Sequence, residues 1–183
     1  MKNRPQPIEI NIRECKTKEE IDSTYPVMRQ LRPHISEPDY FSRVAFLMGE
    51  EQFRLFGAYD SKNRCLGVIG FQKQNRLSLG NIIYIADLVT DEQCRSQGIG
   101  TQLLNLVKNE AIKQKIDAIV LDSGIQRKQA HLFYQRHGYK PESYSFRLVK
   151  PFDDPSKELN TASRQDLNKE KRGQSNEFVY SRL

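Results

Sequence analysis

The chain has 183 residues, 37% of them hydrophobic and 28% charged, a length and composition that fit one soluble domain with a real core and leave little room for two. The sequence has no apolar run near the roughly 20 residues a membrane helix needs, and Met1-Lys2-Asn3-Arg4-Pro5 leads into no signal-peptide core, so a cytoplasmic protein without membrane contact is expected. The net charge of +6 lies wholly before Pro151, since residues 151–183 hold six Lys/Arg and six Asp/Glu, which argues against a polybasic tail.

Ile8, Ile10 and Ile12 alternate with polar residues and predict a first strand over 8–16. Lys18 to Leu31 has helical spacing, interrupted at Pro26 and stopped by Pro33. Ser36-Glu37-Pro38 reads as the start of a second helix, whose apolar face is Tyr40, Phe41, Val44, Ala45 and Met48. Three strands follow, Phe53–Tyr59, Leu66–Gln72 and Leu77–Thr90, and the short turns between them predict antiparallel pairing. Ile99–Lys113 is the clearest amphipathic helix, and the nearly all-apolar Ile116–Leu121 predicts a strand buried on both faces and parallel to the one before the helix. A helix over Arg127–His137, closed by Gly138, and a last strand over Tyr139–Val149 complete the order βααβββαβαβ. That order implies an α/β sheet with helices on both faces. Residues 1–150 form the expected single domain, and 151–183 a polar, weakly structured extension that either packs on the domain or serves a homodimer contact.

The junction from Leu88 to Leu104 carries the chemistry. A strand ends, a glycine-bearing loop follows, and a strong helix begins, so unpaired amides and the positive end of the helix dipole converge into an anion site. Gly98 and Gly100 leave no Cβ to obstruct a phosphate. A P-loop is excluded because Thr101, with no lysine, follows Gly100, and a dinucleotide fold because Leu103 stands where a third glycine is needed. Cys15, Cys65 and Cys94 are far apart and without metal-ligand spacing, so they read as reduced thiols and no metal is expected.

Arg95-Ser96-Gln97-Gly98-Ile99-Gly100, with Asp87-Leu88-Val89-Thr90 before it, resembles the Arg/Gln-x-x-Gly-x-Gly/Ala signature of the GNAT N-acetyltransferases. Ala130-His131-Leu132-Phe133-Tyr134-Gln135-Arg136-His137-Gly138-Tyr139 is similar to a second motif of that family at the expected distance downstream, and the likeness covers about residues 8–149. It implies the GNAT fold, a central mixed sheet that is antiparallel in its N-terminal half and has a parallel pair at the coenzyme site. It further implies that the backbone amides of Arg95, Ser96, Gln97, Gly98, Ile99, Gly100 and Thr101 bind the pyrophosphate of acetyl-CoA. Leu88, Val89 and Thr90 would pair with the pantetheine arm, and the amide of Leu88 or Val89 would polarise the thioester carbonyl.

Tyr134 matches the tyrosine that protonates the departing thiolate in many relatives. Arg127 stands where relatives often carry asparagine, and is either a coenzyme-phosphate contact or a solvated helix-start charge. Because only a neutral amine has a lone pair to attack with, a proton acceptor is needed. Asp87 is the first candidate and Asp122 the second, each as general base or as partner of a cationic substrate. The amine acceptor itself is open between a protein N-terminus, a lysine, a polyamine and an aminoglycoside. Glu37, Asp39, Glu50 and Glu51 are further candidates for a cationic group, while His34, His131 and His137 fit no catalytic arrangement. The alternatives to an enzyme are a non-catalytic acetyl-CoA sensor, and a nucleic-acid binder supported only by the pI of about 9.2 and by no recognition motif.

Overall fold

Apolar residues on adjacent positions of a strand face opposite sides of a sheet, and this chain uses both sides. The computed structural model describes residues 9–149. The chain divides into Met1–Pro141 and Glu142–Leu183, and the fold below belongs to the first unit. Five strands, β1 (Asn11–Glu14), β2 (Arg54–Tyr59), β3 (Cys65–Arg76), β4 (Gly80–Thr90) and β5 (Ala118–Leu121), form one sheet in sequence order. The first four pair antiparallel and β5 runs parallel to β4, which is the mixed sheet expected.

Leu55, Val68 and Val89 point to one face, where α1 (Lys18–Leu31) and α2 (Glu37–Glu50) add Ile21, Val27, Met28, Tyr40 and Val44. Phe56, Ile69, Phe71, Ile83 and Ile85 point to the other, where α3 (Ile99–Lys113) adds Leu103, Leu104 and Val107. Each of these last three side chains is 0% exposed, a burial that favours folding by about 1.5–3 kcal/mol apiece. α4 (Lys128–Arg136) lies on the same side, with Phe133 and Tyr134 against that core.

Three expectations change. α1 runs unbroken through Pro26, because the buried face of Ile21, Thr24, Val27 and Met28 outweighs one missing hydrogen bond. β5 is half-buried throughout rather than enclosed, since it is the outer strand of the described sheet and α4 contributes no fully buried residue. The last strand over Tyr139–Val149 does not form: no strand is present there among the described residues. Tyr139 instead folds back on α4, its amide donating to the Tyr134 carbonyl at 3.1 Å and its ring 5.8 Å from the Tyr134 ring. Pro141, two residues later, has no amide to donate to a ladder. The extension expected over 151–183 lies outside the described residues.

Candidate active site

Beyond Thr90 the chain makes a short 3-10 turn, Glu92–Cys94, capped by the Asp91 carboxylate, which accepts from the Gln93 amide at 2.9 Å. The loop then enters the left-handed region twice, at Ser96 (φ 63) and at Gly98 (φ 83). For Ser96 this costs roughly 1–2 kcal/mol, so strain is stored in the loop itself. Gly98 immediately precedes α3 and offers no side chain to cap it, and no acidic residue lies in the first turn. The first backbone bond of the helix is donated by Gln102 to the Gly98 carbonyl at 3.1 Å, so the amides before it stay available to an anion at an end carrying roughly half a positive charge.

The two glycines serve different purposes. A Cβ on Gly98 would meet nothing within 4 Å, so the space before the helix is open to a ligand. A Cβ on Gly100 would come 3.2 Å from the Phe133 ring, so Gly100 is small because α4 packs there.

β4 supplies the second part of the site. Its pairing with β3 continues through Gly67↔Thr90, whereas its pairing with β5 ends at Ile85↔Leu121. A register shift between Gly70 and Phe71 leaves Ala86 as an extra residue where the strands separate. Ala86 to Thr90 therefore has β3 on one edge and no described strand on the other, which leaves main-chain groups beyond the Ala86 carbonyl free for an extended ligand.

Tyr134 stands on α4, its ring 5.5 Å from Phe133. Burial pushes its phenol above the ordinary value, while the charge of Arg127 pulls the other way. Arg127 occupies the N-cap position of α4 without a side-chain capping bond, its amide donating to the Gly124 carbonyl at 2.9 Å. His131 is bound to the same Gly124 carbonyl through Nε2 at 2.9 Å and so fastens the β5–α4 loop.

On the opposite face, Asp87 does not stand alone. Arg32, just past the end of α1, donates from Nε to Asp87 Oδ1 at 2.8 Å and from a terminal nitrogen to the Ala86 carbonyl at 3.2 Å. Asp122 accepts from the Tyr84 hydroxyl at 2.9 Å. The Tyr84 phenol is pushed up to about 12 by burial and then by its bond to Asp122. Arg32 and Tyr84 were not singled out by the sequence: one follows a helix among other polar residues, the other is an ordinary strand tyrosine. The candidates Glu37 and Asp39 lie in the first turn of α2, and Glu50 and Glu51 at its far end, about 20 Å apart, so the four do not form one cluster.

Residues 16–139 match the acetyltransferase (GNAT) family. The chain belongs to that family. Its GNAT relatives include the uncharacterized N-acetyltransferase YhdJ of Bacillus subtilis (strain 168), 34% identical over 139 residues, a stretch covering 75% of this chain and 97% of the relative. An aminoalkylphosphonate N-acetyltransferase of Salmonella typhimurium (strain LT2) is 37% identical over 82 residues, 44% of this chain and 53% of that protein. Among solved structures, the aminoglycoside N-acetyltransferase AAC(6')-Iy in complex with CoA superposes with a TM-score of 0.69 at 12% identity, over 81% of this chain and 99% of that one. The family match makes the chain an acetyltransferase of the GNAT superfamily, its curated relatives carry N-acetyltransferase names, and the solved structure shares the fold described above.

Proposed function

We propose that the chain transfers the acetyl group of acetyl-CoA directly to a primary amine. The observation that carries this reading is the uncapped N-terminus of α3, with open space before Gly98, together with the edge of β4 from Asp87 to Thr90 that no described strand covers. A pyrophosphate fits the first and an extended amide-bearing arm the second, so the chain's own residues suit the coenzyme. When bound, acetyl-CoA supplies an activated acetyl thioester.

The amides of residues 95–101 would hold the phosphates, and Leu88, Val89 and Thr90 would offer main-chain groups to the arm, the amide of Leu88 or Val89 polarising the acetyl carbonyl. Arg127, whose charge pulls the Tyr134 phenol down, would favour negative charge developing on that side. Tyr134 would donate its proton to the departing sulfur, and a phenol held above its usual pKa keeps that proton through neutral pH.

On the acceptor side, Asp122 is exposed and has one oxygen bound by a neutral phenol. Asp87, 17% exposed, is closed on one side by Arg32. Access favours Asp122, the second candidate of the sequence, as the proton acceptor, and Asp87, the first, would then fix the end of α1 against the sheet. No covalent acyl-enzyme is required, because Cys15, Cys65 and Cys94 are all buried and burial pushes the first two thiols up.

The test is a panel of primary amines assayed for acetyl-CoA-dependent thiol release, with peptide N-termini, lysine, polyamines, aminoglycosides and aminoalkylphosphonates as its arms. Turnover with at least one class is expected, with an acidic limb in the pH–rate profile that disappears in Asp122→Asn and persists in Asp87→Asn. Tight acetyl-CoA binding with no thiol release for any amine would favour a non-catalytic sensor.

A further inference from the structure

α3 lacks the side-chain cap that steadies a first helical turn, yet this turn has to keep its amides in one orientation if they are to bind an anion. Its support comes from behind. Thr101 Oγ1 lies 3.0 Å from His137 Nε2, and His137 Nδ1 lies 2.8 Å from the Phe133 carbonyl oxygen. A carbonyl only accepts, so Nδ1 carries the proton. In the neutral ring Nε2 is then an acceptor and the Thr101 hydroxyl is the donor.

Two further contacts converge on the same place. Lys108, further along α3, donates from Nζ to the His137 carbonyl at 3.1 Å, which also satisfies an acceptor at the end of α4. The Phe133 ring sits 4.4 Å from the His137 ring and against Gly100. Consecutive residues of the first turn of α3, Gly100 and Thr101, are thus both held by residues one turn apart on α4, and Tyr134 lies between those two in sequence.

We propose that His137 is a positioning residue for the coenzyme site: through Thr101 it fixes the first turn of α3 to α4, the helix that carries Tyr134. The clamp takes over the steadying role of a cap while leaving the amides free, so that the phosphate site and Tyr134 are held in one register. The inference rests on the coenzyme reading above, but it concerns a side chain that would not touch the coenzyme.

Calorimetric titration of the full chain with coenzyme A, which needs no turnover, tests it. Thr101→Val keeps the shape and removes the donor, and His137→Gln removes the ring that bridges the two partners. Each is expected to weaken coenzyme binding about 5- to 10-fold, the worth of one net hydrogen bond. The double variant is expected to be no weaker than the weaker single one, because both changes break one link. Thr101→Ser, which restores the hydroxyl, should recover the affinity lost in Thr101→Val, and the KM for the amine should not move.

If Thr101→Val weakens binding while His137→Gln does not, the hydroxyl meets the ligand itself and the clamp is refuted. Losses that simply add also refute it. Should His137→Gln fail to fold, the Thr101 pair carries the test alone: equal affinities for Thr101→Val and the unaltered chain refute the clamp. An unaltered chain that binds no coenzyme A overturns the coenzyme reading and this inference together, a result distinct from every variant effect.

Discussion

The N-termini of α1 and α3 are built on opposite plans. Thr17 accepts from the Glu20 amide at 3.3 Å, and the Glu20 carboxylate returns the bond by accepting from the Thr17 amide at 3.0 Å and from the Lys16 amide at 2.8 Å. Ser36 caps α2 in the same spirit, accepting from the Asp39 amide at 3.3 Å, with Glu37 and Asp39 in the first turn. These starts are closed and their positive ends are neutralised by the chain's own oxygens. α3 begins with a left-handed glycine, no cap and no acid. A side-chain cap is worth about 1 kcal/mol, so the chain forgoes that stability at the start of α3, where the loop before it is also strained at Ser96. α4 is also uncapped, but a cationic Arg127 stands at its N-cap position, so the contrast that matters is between the closed starts of α1 and α2 and the glycine start of α3.

Several substitutions test that separation, and the largest effect should come from the group placed to meet the leaving sulfur. Tyr134→Phe is expected to lower kcat by about 100-fold or more while leaving coenzyme affinity within about twofold. Because burial raises the Tyr134 phenol above its ordinary value of about 10, its protonated form is lost only above that pH. The basic limb of kcat should accordingly lie above pH 10 and be absent in the variant; an identical alkaline limb in both would remove Tyr134 from proton transfer.

Gly98→Asp converts α3 toward the plan of α1 by setting a carboxylate beside the free amides. Asp tolerates the left-handed backbone better than most residues, and the space around Gly98 is open, so the fold should survive. Coenzyme binding, measured by titration, should weaken on the order of 100-fold, since the new charge occupies the anion's place. Unchanged binding would mean that this helix start is not the phosphate site.

The division between the two plans was largely readable in the residues. Ser36 followed by Glu37-Pro38 announced one closed start, and Gly98-Ile99-Gly100 announced the open one, because cap chemistry and missing side chains are local properties. Ile99–Lys113 was likewise legible to the residue, its apolar spacing being carried by α3 alone. What could not be read depends on contacts distant in sequence. Gly100 looked like a second phosphate glycine, and only the Phe133 ring, 33 residues on, shows that it makes room for α4. Asp87 was read as a base or as the partner of a cationic substrate, and its own cationic partner Arg32 is 55 residues away. His137 fitted no catalytic pattern because its partner Thr101 belongs to another helix. Tyr139–Val149 failed for the converse reason: alternating Tyr144, Phe146 and Leu148 is a strand pattern, but a strand needs a partner that local pattern does not supply.

The smallest expected effects lie at the closed end of the comparison, where they should touch stability and nothing else. Thr17→Ala removes the cap of α1 and should cost about 1 kcal/mol, a fall of about 3 °C in Tm, with coenzyme affinity unchanged. Glu20→Gln adds a pH signature. Its carboxylate is held below the ordinary range first by the Lys16 amide and then by the Thr17 amide. A folded-state pKa below the unfolded one means that the stabilisation is complete above the unfolded value and is lost as pH falls through the folded value. The difference in stability between the unaltered chain and Glu20→Gln should therefore be full at pH 7 and shrink below about pH 4. Denaturant midpoints measured across that range decide it: a gap independent of pH would mean that Glu20 supports α1 through its shape rather than its charge, and a shift in coenzyme affinity would break the separation of closed and open helix starts.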